Sequence, residues 1–387
     1  MILTASGKSS SCAVAILGAG IIGLSIAYEL AVRRGVHVTV YDPRTPGRGA
    51  SWAAAGMLAP AFEAAAEPGV HPALFELCMA SAALWPEFAA ELERRAGHDV
   101  GFDPAPSLAA ALDSGQMARQ SGIADTLAAR GVAHEVLSAQ AMRAREPALS
   151  EAVLGGLELP TDFRVHNRRV VEALLGVLRD SGKARFMAGA APLKSVGGRV
   201  RLEGHEAVIA AAGWETAVIK VEERGVRYSL VNWDTALDDI DCHGGQMLAV
   251  EAGPGAPVRV VRAGHVYLVP RGGQVVIGAT VEPGRVIEAA EPGAIAALQA
   301  EAARLCPGLA GARVVEQWAG VRPGTPDHAP FLGETVTPGL FVAAGHYRNG
   351  ILLAPLTAQI LADAVTGKAP GALAAAFTTR RTYTVPA

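Results

Sequence analysis

Cysteine is scarce in this chain, four residues in 387, and Cys12, Cys78, Cys242 and Cys306 lie far apart with no C-x-x-C pair. That excludes a disulfide framework and a structural zinc knuckle. Neither sign of charge dominates: 34 Lys and Arg face 37 Asp and Glu, a net charge of −3, so electrostatics nominates no nucleic acid or other polyanion as partner. No apolar run reaches the roughly 20 residues that span a bilayer. The polar start, MILTASGKSSSC, reads neither as a signal peptide nor as an anchor, so a soluble, cytoplasmic protein is expected. Charged residues make up only 18% and hydrophobic ones 50%, which excludes a disordered chain and at this length predicts two domains. The 44 glycines and 24 prolines follow no period, so neither a collagen-like nor a repeat architecture is expected.

What is present is local and ordered. Ala13 to Leu17, AVAIL, is a short apolar run of the kind buried on both faces of a sheet. It runs into Gly18-Ala19-Gly20-Ile21-Ile22-Gly23, after which Ile22, Ile26 and Leu30 predict a helix ending near Gly35. Val36 to Tyr41 then alternates as a second strand and finishes in Asp42. This is the order of a dinucleotide-binding unit. Gly18 permits the tight turn, Gly20 lets the backbone approach a pyrophosphate, Gly23 lets the helix pack on the strand, and Asp42 accepts from a ribose. The acid disfavours NADP and leaves FAD and NAD as alternatives.

Two further stretches suggest a flat ligand. Ala50 to Pro60 (ASWAAAGMLAP) is small and apolar where a loop should be polar. Leu340 to Ala344 reads as a buried strand, followed by Gly345-His346-Tyr347-Arg348-Asn349-Gly350 and a helix carrying Leu352, Leu356 and Ile360. The positive end of that helix suits negative charge on a reduced flavin ring.

On ASWAAAGMLAP, WAGVRPGTPDHAPFLG (Trp318 to Gly333) and AAGHYRNGILLAP (Ala343 to Pro355), with a weaker match over His265 to Thr280, the chain resembles the amine-oxidising flavoproteins of the D-amino-acid oxidase superfamily. Within them it is most similar to the glycine-oxidase group of thiamine biosynthesis. The order and spacing hold from about Val14 to Val365. The resemblance implies an α/β fold with a Rossmann-like FAD domain and a second, mostly antiparallel substrate sheet. It also implies non-covalent FAD, and no cysteine follows Cys306 to attach it. The FAD domain is expected in pieces, 1–80, 153–223 and 306–387, and the substrate domain in 81–152 and 224–305. By position, the resemblance also brings Ser51, Ala54, Ala55, Gly56, Met57, Ala212, Gly213, Trp214 and Ile351 to the cofactor, along with the two glycine turns.

By the same matching, Arg322 grips the substrate carboxylate, Tyr267 helps hold it, Met57 lines the substrate cavity and Arg348 lies near carboxylate and flavin. The residues themselves leave alternatives. Arg322, in an apolar neighbourhood, needs some anion, which could be Asp327. The Tyr267 hydroxyl could satisfy a backbone group, and Met57 could be core filler. His328 and His346 stand beside turns and are assigned no catalytic part.

The expected reaction is hydride transfer from the Cα of glycine, sarcosine or a small D-amino acid to flavin N5, with hydrolysis to a 2-oxo acid and ammonia and oxygen reduced to hydrogen peroxide. Rivals are a D-amino-acid or opine-type dehydrogenase with another acceptor, and a non-catalytic flavoprotein subunit. Self-assembly into a homo-oligomer is left open. One segment departs from the family pattern: Lys220 to Gly244 gathers Asp234, Asp238, Asp239 and Asp241 without the glycine-centred spacing of a calcium loop. A solvated acidic loop is expected there, and no metal.

Overall fold

The computed structural model describes residues 13–66 and 69–382; the polar start and Cys12 lie outside the described residues. The AVAIL run forms the strand Ala13–Leu17, flanked in parallel by His37–Asp42 and Ala207–Ala210. Ala184–Ala188 and Leu340–Ala344 extend this sheet in parallel, and Phe331–Glu334 closes one edge antiparallel, six strands in all. Both faces are covered at its centre, which is why Ala13–Leu17, Ala207–Ala210 and Leu340–Ala344 are continuously apolar, whereas His37–Asp42, nearer the edge, alternates.

On one face pack four helices: Ile21–Tyr28, Leu74–Ala96, Asn167–Asp180 and Gly350–Val365. Val170, Leu174 and Leu178, four residues apart, are fully buried there. The first helix runs on through a π-type turn, Glu29–Arg33, before Gly35 turns the chain. Within the last helix Pro355 interrupts the hydrogen-bond ladder. The Leu352 carbonyl is taken up by Ser81 Oγ at 2.7 Å and Trp85 Nε1 at 2.9 Å.

The other face carries a four-stranded sheet, ordered Arg199–Arg201, Leu193–Val196, Lys220–Glu223, Val226–Ser229. Leu193, Val200 and Val221 seat it against Ala15, Val208 and Val342. The divergent segment from Lys220 is therefore in part a hairpin. Its acidic cluster is not uniformly solvated, as the sequence suggested. Asp234 is buried, because its carboxylate gathers the amides of Ala236 and Val336, each at 3.2 Å, and the Thr379 hydroxyl at 2.6 Å. Asp238, Asp239 and Asp241 are exposed.

A nine-stranded, mostly antiparallel sheet stands over the nucleotide layer. Its long central strand Asp241–Glu251 pairs on one side with Val314–Gly324 and on the other with Gln274–Gly278. The Gly272-Gly273 turn joins Gln274–Gly278 to Val266–Arg271 as the expected hairpin. Alternate residues point to opposite faces. Leu248, Leu268 and Ile277 pack under the helix Pro292–Leu305, whereas Met247, Val269 and Val276 face Ala53 and Ala55.

Candidate active site

Where the small-residue stretch meets this inner face lies a cleft of about 820 Å³, within the range of ligand cavities. One end is built by the glycine turn. Gly18, at φ +112°, sits where a Cβ would run into the Ala211 carbonyl oxygen, so no other residue closes the turn against the neighbouring strand. Gly18, Gly20, Ile21 and Ile22 line the cleft, and the N-terminus of the helix opens onto it. Ser51 Oγ accepts from the Ile21 amide at 2.8 Å, which ties the small-residue stretch to that helix end. Asp42 accepts from the amides of Ala19 and Arg44, both at 2.8 Å, which leaves lone pairs on each oxygen for a ribose. Gly23 and Gly345 do not line the cleft. A Cβ on the first would strike the Gly18 carbonyl and on the second the Thr325 methyl, so both act by permitting close packing.

The wall from Ser51 through Ala54, Ala55, Gly56 and Met57, the turn Ala212-Gly213-Trp214, and the run from His346 to Ile351 all line the same cleft. A long, flat nucleotide cofactor fits this arrangement: phosphate charge at the helix end, ribose at Asp42, and a ring system against the small Ala54, Ala55 and Gly56. No cysteine is among the lining residues. His346 is buried and shares a hydrogen bond with Thr357 Oγ1 at 3.1 Å, and burial pushes its pKa down to about 3. It is a neutral structural group at working pH.

At the opposite end Arg322 lies flat over Gly245, where a Cβ would occupy the place of the guanidinium. Its Nη1 donates to the carbonyls of Gly244 and Thr280, both at 3.2 Å, and no carboxylate of the described residues pairs with it. Asp327 is not its partner. That carboxylate is gripped by Arg381 through two bonds of 2.8 and 2.9 Å. Tyr267 packs its ring on Gly278 and points its hydroxyl at Met247 Sδ, 3.6 Å away. Burial raises the phenol's pKa, against the lowering charge of Arg322 and Arg348, so it remains a neutral donor.

The sequence reading missed an ion network along this wall. Glu63 pairs with Arg262 at 3.0 Å and stands 3.7 Å from Arg348, and Arg262 covers the Phe62 ring at 4.2 Å. Behind them Asp162 is fully buried. It accepts from the Ala61 amide at 3.0 Å and lies 4.0 Å from Arg262, and burial raises its pKa to about 7 despite that arginine. The signal was there as a lone acid in the alanine-rich AFEAAA and two arginines, Arg259 and Arg262, in the otherwise apolar VRVVRAG.

Comparison with known proteins gives this geometry its class. The family model for FAD dependent oxidoreductases of the DAO type matches residues 13–364, and the chain belongs to that family: it is an FAD-dependent oxidoreductase. It is 33% identical over 377 residues to glycine oxidase of Geobacillus kaustophilus, covering 92% of this chain and 93% of that one. It is 34% identical over 384 residues to the bifunctional protein ThiO/ThiG of Synechocystis, covering 96% of this chain but only 54% of that longer protein. The crystal structure of the Geobacillus kaustophilus glycine oxidase superposes with a TM-score of 0.85 at 32% identity, covering 96% of this chain and 99% of the other. The fold is thus shared, and FAD is the cofactor.

Proposed function

We propose that the chain oxidatively deaminates a small amino acid, with glycine, sarcosine and small D-amino acids as the substrate class. Molecular oxygen is the electron acceptor, and the products are the 2-oxo acid, hydrogen peroxide and ammonia, or methylamine where the substrate is sarcosine. The observation that carries this reading is Arg322, a guanidinium in the cleft with no carboxylate partner among the described residues, beside the Tyr267 hydroxyl. Such a group is complementary to an α-carboxylate, which can take a fork of charge-assisted bonds from it. The similarity to glycine oxidases supports the same class.

FAD, when bound, supplies the hydride acceptor for Cα. The chain's own residues then have a positioning task. Arg322 and Tyr267 anchor the carboxylate and fix the direction of the Cα–H bond. Met57 and the alanine wall exclude water, and Arg348, held near Glu63, adds positive potential where negative charge collects on the ring. The substrate enters with a neutral amine, so that hydride transfer makes no acid–base residue obligatory. The nucleotide residues would belong to the pieces 1–80, 153–223 and 306–387, and the clamp's Tyr267 strand to the substrate sheet.

The test is anaerobic titration of the purified holoenzyme with glycine, sarcosine and D-alanine. Bleaching of the oxidised-flavin absorption by any of them is expected, followed by recovery in air with stoichiometric peroxide. A yellow protein that none bleaches would overturn the substrate class, and bleaching without recovery in air would replace oxygen by another acceptor.

A further inference from the structure

A second cavity, of about 310 Å³, lies between the Gly272-Gly273 hairpin turn and the loop 252–258, and shares no lining residue with the flavin cleft. Arg164 and Arg271 both line it. Around them the charges do not balance. Arg168 forks the Glu316 carboxylate at 2.7 and 2.9 Å, Arg169 meets Asp99 at 2.8 Å, and Arg164 meets Asp103 through Nη2 at 2.5 Å. Arg271 has no carboxylate within ion-pair distance among the described residues. It is 8% exposed, and its Nη1 donates to the neutral amide oxygen of Asn167 at 3.3 Å. The Nη1 of Arg164 is buried with no hydrogen-bond partner among the described residues.

A guanidinium does not escape burial by losing its proton at physiological pH, so an unpaired one is stable only if something else supplies negative charge. The surroundings behave accordingly. Burial and the like charge of Arg168 pull the pKa of Arg271 down to about 10 against the raising charge of Glu316, and burial with the charges of Arg271 and Arg169 holds His166 down at about 4. Arg164 and Arg271, from different elements, line one cavity, and the one carboxylate hydrogen-bonded to either is Asp103, on Arg164. This is the arrangement a tetrahedral dianion satisfies, since it accepts from two forks at once.

We propose that this second cavity binds a small oxyanion of the phosphate class against Arg271 and Arg164. The ligand is inorganic phosphate or the phosphate of a monoester. The site is independent of the oxidase reading, because it uses none of the cleft's residues.

The test is equilibrium dialysis of radiolabelled inorganic phosphate against the FAD-loaded protein at constant ionic strength, with the flavin's own pyrophosphate filling the dinucleotide site. One phosphate per chain is expected. Arg271→Gln should weaken binding at least tenfold and Arg164→Gln at least threefold, with thermal melting of each variant showing that it is folded. Absence of stoichiometric binding in the parent protein, or undiminished binding in Arg271→Gln, overturns the proposal. Should that variant fail to fold, undiminished binding in Arg164→Gln overturns it equally. Displacement by methyl phosphate would assign the site to monoesters, and binding of inorganic phosphate that methyl phosphate cannot displace would assign it to the free ion.

Discussion

At its nucleotide end the cleft is walled by backbone, at Gly18, Gly20 and the amide end of a helix, whereas at its substrate end it is walled by long side chains, Arg322, Tyr267, Glu63 and Arg262. The first end has its shape because atoms are missing. The second has its function because charged atoms are present. The two should therefore fail in opposite ways, one when an atom is added and the other when one is removed.

The largest effect is expected at Gly18. Gly18→Ala puts a Cβ into the Ala211 carbonyl at a φ that side chains avoid, for a loss of about 4 kcal/mol or more. Melting temperature should drop and FAD should be lost on gel filtration; a yellow, equally stable variant would break the comparison at this end. At the other end Arg322→Ala should leave flavin content unchanged. It should lower kcat/KM for glycine by about a hundredfold to a thousandfold, the scale of losing one partner of a desolvated charge pair. A carboxylate-free amine should be far less affected, and equal losses on both substrates would remove the clamp assignment. Tyr267→Phe takes away one neutral donor and should cost about tenfold in kcat/KM.

A pH effect sharpens the contrast, because a group behind the side-chain end titrates near neutrality. Asp162, raised from 3.8 to about 7, binds a proton in the folded chain that the unfolded chain has already released. Its stabilising contribution is complete below pH 4 and is lost as pH rises through 7, by up to about 4 kcal/mol. Thermal melts of Asp162→Asn against the parent between pH 5 and 8 should show that limb flattened. The smallest effect is opposite in sign. His346, held neutral by a pKa near 3, contributes stability that is present above about 6.5 and lost as pH falls toward 3. Thermal melts of His346→Gln against the parent between pH 3 and 7 should show that acid limb softened.

The same contrast explains what could be read from the residues in order. The nucleotide end is contiguous: strand, turn, helix and Asp42 fall within thirty residues, each with a local signal in glycine, period or charge. The strand boundary shifted by one residue, to His37–Asp42, and the helix acquired a π-type turn, as element ends do. The substrate end joins Glu63, Arg262, Tyr267 and Arg322 from distant stretches. Resemblance brought Arg322 and Tyr267 to one place, but Glu63 and Arg262 carried no pattern that pairs an acid in a helix with a base in a strand two hundred residues on. Asp234 was misjudged for a related reason: an aspartate among aspartates reads as solvated, and the donors that bury it, Val336 and Thr379, come from the far end of the chain.

The sequence by itself determined the elements whose causes are local: the buried parallel strands, the glycine turns, the amphipathic helix through Val170, Leu174 and Leu178, and the hairpin at Gly272-Gly273. Only the tertiary structure decided which charge meets which. Asp327 went to Arg381, Arg322 was left open to the cleft, and Arg271 was buried beside a neutral amide. The physical reason is range. Backbone conformation answers to neighbours within a few residues, whereas an ion pair depends on desolvation and separation in space, which the packing of distant elements alone sets.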